Sequence, residues 1–124
     1  MGKTEKQCRM DSHGSCGKTY YTKMLSLLEA YFAVSGWKHF FLDGGCCWFA
    51  STLQKGIRDS VIMINRIEEH CALAFEDGLY DITGRISVKN FHRASMREIS
   101  FMKKNYIPHF NTEELEEYLA GITE

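Results

Sequence analysis

Apolar residues recur along this chain with two different periods, and the switch between the periods marks out its elements. Met24, Leu27, Leu28 and Tyr31 fall at three- and four-residue steps, with Leu25 and Phe32 widening the stripe, and predict a helix from about Tyr20 to Val34 that stops near Gly36. A second helical stripe of Cys46, Phe49, Ala50 and Leu53 follows Asp43, its expected cap, and ends at Gly56. That spacing turns Cys46 inward and Cys47 aside. The period then falls to that of sheet. Val61-Ile62-Met63-Ile64 predicts a strand buried on both faces, and His70 to Phe75 followed by Leu79 to Ser87 predicts a hairpin around Glu76-Asp77-Gly78. Ser95 is placed to cap a helical segment carrying Ile99, Met102 and Tyr106, with Pro108 past its end. Asn111 or Thr112 starts a last helix with Leu115, Tyr118, Leu119 and Ile122 on one face and acids in its first turns. The order helix, helix, strands, helix, helix specifies an α+β domain, with N-terminal helices packed on a small antiparallel sheet and C-terminal helices closing it.

Residues 1–18 are small and polar with little to bury, and are expected to form a flexible arm ahead of a single domain over 19–124. At 124 residues the chain builds one core and no second domain. Lys and Arg (15) nearly balance Asp and Glu (16), and the longest basic run is Lys103-Lys104, so no nucleic-acid partner is expected. No apolar run is long enough to span a membrane, and no apolar stretch follows the charged first residues. An odd number of cysteines, five, without a secretion signal fits reduced thiols in a cytoplasmic setting.

The chemistry concentrates in the middle of the chain. Asp43-Gly44-Gly45-Cys46 places a thiol at a helix start, where unpaired backbone N–H groups and the positive end of the dipole favour the thiolate. His70 supplies an imidazole and Asp81 a carboxylate, the three groups that acyl transfer through a thiol requires. Whether Asp81 reaches His70 depends on hairpin register. A two-residue turn at Glu76-Asp77 sets Asp81 opposite Ala72 and diagonal to His70, roughly 7 Å away between Cβ atoms. The locally favoured turn pair, Asp77-Gly78, sets it opposite Ala74 and out of reach. A three-residue loop would turn it to the other face. Each residue also has a plainer role open to it: free cysteine is a common core filler, His70 suits a strand end, and Asp81 beside Thr83 and Gly84 suits a turn. Cys8, His13 and Cys16 lack the short paired spacings of a zinc site, so neither a metal nor an organic cofactor is expected.

Gly44-Gly45-Cys46 with Phe49-Ala50, His70 opening a strand, and Tyr80-Asp81-Ile82-Thr83-Gly84 resemble small phage and bacterial proteins related to the papain-like cysteine hydrolases. The resemblance covers about Asp43 to Ile86. It implies a papain-like fold in which a helix-borne catalytic Cys46 packs on an antiparallel sheet with His70 as base and Asp81 as orienting group. It also implies a cysteine hydrolase, peptidase or amidase, or an acyl transferase, acting on an amide, isopeptide or thioester bond of a protein or peptide substrate. Two features depart from it. Cys47-Trp48 mimics the Cys-Trp pair of papain enzymes, which makes Cys47 the second candidate nucleophile, and no Gln stands upstream as an oxyanion donor, leaving only His39 nearby. The alternative expectation is a catalytically silent papain-like binding protein, a phage or bacterial factor that occupies a host protein. A redox sensor built on Cys46-Cys47 is a third. Oligomeric state is not specified by these residues.

Overall fold

The computed structural model describes residues 16–123. Helix α1 spans Cys16–Phe32 and buries Tyr21, Met24 and Leu28 on one stripe. Its opening turn lies within the expected arm; residues 1–15 fall outside the described part. A short 3-10 helix at Trp37–Phe41 follows Gly36, whose φ of 77° suits a residue without a side chain. Helix α2, Cys46–Gly56, ends where the ring of Tyr20 lies against Gly56: a Cβ there would stand 2.1 Å from Tyr20 Cζ.

Five strands follow: β1 (Val61–Asn65), β2 (His70–Phe75), β3 (Gly78–Asp81), β4 (Gly84–Ile86) and β5 (His92–Arg93). They form one antiparallel sheet in the order β4-β3-β2-β1-β5. One face of β1, carrying Ile62 and Ile64, is fully buried, while Val61 and Met63 on the other are half-buried, so the strand is less enclosed than its continuous apolar run predicts. The segment expected as one strand from Leu79 to Ser87 is broken into β3 and β4 by a tight turn at Ile82-Thr83, with Asp81 facing Gly84. Gly84, at φ 122°, occupies backbone space that a side chain would strain.

Helix α3, Met96–Asn105, begins in a capping box: Ser95 Oγ accepts from the Glu98 N–H at 3.1 Å, and Glu98 Oε1 accepts from the Ser95 N–H at 2.9 Å. Helix α4, Thr112–Thr123, is capped by Asn111, whose Oδ1 accepts from the Glu114 N–H. The architecture of the described residues is therefore α+β, four α-helices with a five-stranded antiparallel sheet. A single core runs through all of it, from Tyr21, Met24 and Leu28 through Phe49 and Leu53 to Leu73 and Phe75, and on to Met102, Leu115 and Leu119. Among the described residues no helix is long and apolar enough to cross a membrane.

One contact ties the sheet to the first helix. Glu76, in the β2–β3 turn, sits at φ 56° and its Oε2 accepts from the Gly17 N–H at 2.9 Å. This is an unpaired donor of the first turn of α1, and a carboxylate is the group the helix dipole favours there. Gly17 is needed for the approach, since a Cβ would come within 2.8 Å of that oxygen.

Candidate functional site

Asp43 does not cap α2. The helix starts three residues later, with Gly45 at the cap position and no side-chain bond there, while Asp43 stands exposed 3.9 Å from His39. The two glycines explain the shift. A Cβ on Gly44 would lie 2.7 Å from the Ile107 carbonyl oxygen and one on Gly45 would lie 2.5 Å from that of Phe40, so two backbone segments press on the start of the helix. Cys46 is thereby fixed as its first residue, with its own N–H among the donors that a helix N-terminus leaves unpaired.

His70 opens β2 opposite Asn65, the last residue of β1. Nothing in the sequence-based expectations involves Asn65. Buried at 3% exposure, it accepts from the N–H groups of Ile67 and Glu68 at 2.9 and 3.1 Å and so shapes the turn that delivers His70. Its type and place, an Asn leading into a polar turn between two strands, were the available signal. The His70 ring also packs edge-on against Phe91, 6.2 Å between centroids.

The hairpin takes the Glu76-Asp77 turn, with Phe75 opposite Gly78 and Leu73 opposite Tyr80. Carried one step further, that register sets Asp81 beside Ala72 and diagonal to His70. The structure accordingly brings Asp81 Oδ2 to 2.8 Å from His70 Nε2. Asp81 Oδ1 accepts from the backbone N–H and the hydroxyl of Thr83. Its backbone carbonyl accepts from the buried hydroxyl of Tyr21. With Nε2 engaged by Asp81, Nδ1 is the ring nitrogen left for the Cys46 thiol, which lies within electrostatic reach of the ring.

Cys47 is not turned aside: it is 2% exposed, more buried than Cys46 at 6%, because β2 carries another thiol, Cys71, against both. A hydrogen-bonded row of Thr83, Asp81 and His70 thus continues into interacting thiols in the order Cys46, Cys71, Cys47. Cys46, Cys47 and Cys71 are free thiols. The row governs where charge sits. The Cys71 S–H, and then His70, lower the Cys46 thiol from its ordinary value to about 5 against the opposing effect of burial. Burial alone would depress His70, but the Asp81 carboxylate and the Cys46 sulfur raise it to about 9. Asp81 is held low: burial opposes its charge, and the bonds from His70 and Thr83 prevail. Cys71, set between the Cys46 and Cys47 sulfurs and buried, is raised. Cys47 is also lowered, by Cys71 and by the Lys103 cation, against burial and repulsion from Cys46, but only Cys46 has an imidazole beside it.

His39, the candidate oxyanion donor, is turned to solvent with its side chain 75% exposed. Tyr106, the residue following α3, lies within electrostatic reach of Cys46 and of Glu69, which raises its hydroxyl pKa. Among the described residues no group of three or more His, Cys, Asp or Glu is arranged to hold a metal. Cys8 and His13 lie outside the described residues, as does the side chain of Cys16.

The family model described as Phage YunG-like protein matches residues 24–120, which contain every residue of the row. No curated protein and no solved structure matches this chain. The chain belongs to the phage YunG-like protein family.

Proposed function

We propose that this chain is a papain-like cysteine hydrolase or acyl transferase acting on an amide, isopeptide or thioester bond of a protein or peptide. The Cys46 thiolate attacks the carbonyl carbon, and the oxyanion that forms is received by the Cys46 N–H at the start of α2. As the tetrahedral intermediate collapses, the leaving amine or thiol takes a proton from His70. His70 then accepts a proton from water, or from an acceptor nucleophile, whose oxygen or nitrogen attacks the thioester and returns Cys46 as thiolate. Asp81 holds the ring in the tautomer that presents Nδ1 to sulfur. Neither metal nor organic cofactor enters these steps. A cytoplasmic setting belongs to this reading, because the nucleophile must stay reduced.

The observation that carries the proposal is the Asp81 to His70 contact of 2.8 Å on one side of a ring whose other side meets the Cys46 thiol. Core packing alone gives no reason to bury a carboxylate and an imidazole together beside a thiol at a helix start. Alkylation with iodoacetamide at neutral pH tests it: rapid labelling confined to Cys46 and lost in His70→Ala is expected, whereas slow, even labelling of every thiol overturns it.

One observation favours the silent binding protein instead. Cys46 is only 6% exposed, while Ile67, Ile107 and Phe101 present 77, 67 and 53% of their surfaces to solvent. Exposed apolar residues of this kind suit a host-protein contact. Even thiol labelling would select that reading.

A further inference from the structure

The acyl-transfer steps above use one of three buried thiols and leave Cys71 and Cys47 without a task. Core filling alone does not account for their arrangement. Cys46 opens α2, Cys71 is the second residue of β2, and the helix lies on the strand so that both side chains enter the same core, 6% and 1% exposed. The Cys71 thiol lies within interaction range of the sulfurs of both Cys46 and Cys47. Successive helix residues point about 100° apart, and a bond between sequence neighbours strains the peptide joining them, so the vicinal pair is the poorer partnership. Cys71, from another element, is free of that constraint.

We infer that Cys46 and Cys71 form a peroxide-sensitive modification site, in which Cys46 is the oxidised thiol and Cys71 the thiol that resolves it into a disulfide. This rests on the reading of Cys46 as a reactive thiolate. The Cys46 sulfur attacks hydrogen peroxide, forming an S–O bond as the O–O bond breaks and hydroxide leaves. The Cys71 sulfur then attacks the sulfenic sulfur, the S–S bond replaces the S–O bond, and the departing oxygen leaves as water with the Cys71 proton. Two thiols are oxidised and one peroxide is reduced to water. A dithiol such as dithiothreitol reverses the step by exchange. The bond occupies the nucleophile and spares it from irreversible oxidation to the sulfinic state.

The test treats the full chain with hydrogen peroxide, follows intact mass, and maps cross-linked peptides without reduction, with iodoacetamide reactivity of Cys46 measured in parallel. The expected result is a loss of two hydrogens, a Cys46–Cys71 cross-link, loss of Cys46 labelling and its full return with dithiothreitol. Cys71→Ser and Cys71→Ala, each checked for a folded far-UV spectrum, should give no cross-link and instead gain two oxygens on Cys46 that dithiothreitol does not remove. Cys47→Ala should keep the cross-link. A Cys46 that labels rapidly yet gains oxygens in the unmutated chain, or bonds to Cys47, overturns the inference and leaves the proposed reaction standing. A Cys46 inert to both reagents overturns both.

Discussion

Asp81 is the residue on which the site turns, because its carboxylate is shared between His70 and Thr83 and its backbone carbonyl is anchored by Tyr21. Asp81→Asn keeps the shape and removes the charge that raises His70, so the imidazolium should be lost at lower pH and turnover of a thioester substrate should fall by about 10²- to 10⁴-fold. Tyr21→Phe removes the hydroxyl and leaves a buried carbonyl without its partner; chemical denaturation should register a loss of about 1–3 kcal/mol. The pH dependence follows from the two shifted groups. Below about 5 the Cys46 sulfur is protonated and cannot attack, and above about 9 His70 has lost the proton it must deliver. Turnover should therefore trace a bell with limbs near those values, which describe the coupled pair rather than either residue alone. In His70→Ala the acidic limb of iodoacetamide labelling should move upward, since the thiolate loses its neighbouring cation.

At the level of elements, legibility in the sequence depended on whether the deciding force was local. The stripes of α1, α2 and α4 and the Ser95 cap of α3 are set by periodicity and by side chains within four residues, and these elements formed as expected, although α1 begins at Cys16, four residues before the expected Tyr20. The cap of α2 lies two residues beyond Asp43 because Gly44 and Gly45 answer to Ile107 and Phe40, not to Asp43. Cys47 was misjudged for a similar reason: helical spacing ranks faces of α2 but says nothing of a thiol arriving on β2. The two-residue strand β5 has no periodicity to read, and its place beside Met63 and Ile64 comes from sheet pairing. Hairpin register was the hardest case. Local preference favours the Asp77-Gly78 turn, whereas Glu76 accepts φ 56° and thereby places its carboxylate on α1. The turn at Ile82-Thr83 is the next weak point, since it holds Thr83 against Asp81. Gly84→Ala, at φ 122°, should lose roughly 1–3 kcal/mol of stability by denaturant midpoint. Slower Cys46 labelling should accompany it.

Over the whole molecule, one core joins both pairs of helices to the sheet, and no layer is built from residues independent of the others. Leu53 of α2 is fully buried in that core. Leu53→Ala should lower stability by about 2–5 kcal/mol, with unfolding still a single transition when followed by both fluorescence and circular dichroism. The same unity gives the Glu76 to Gly17 hydrogen bond a reach beyond its strength. It fastens the first turn of α1 to the bend, 59 residues downstream, that decides which way Asp81 points. A clip that removed the chain through Gly17 would leave every member of the proposed triad in place and still silence it, by letting the hairpin slide into the alignment its own sequence prefers.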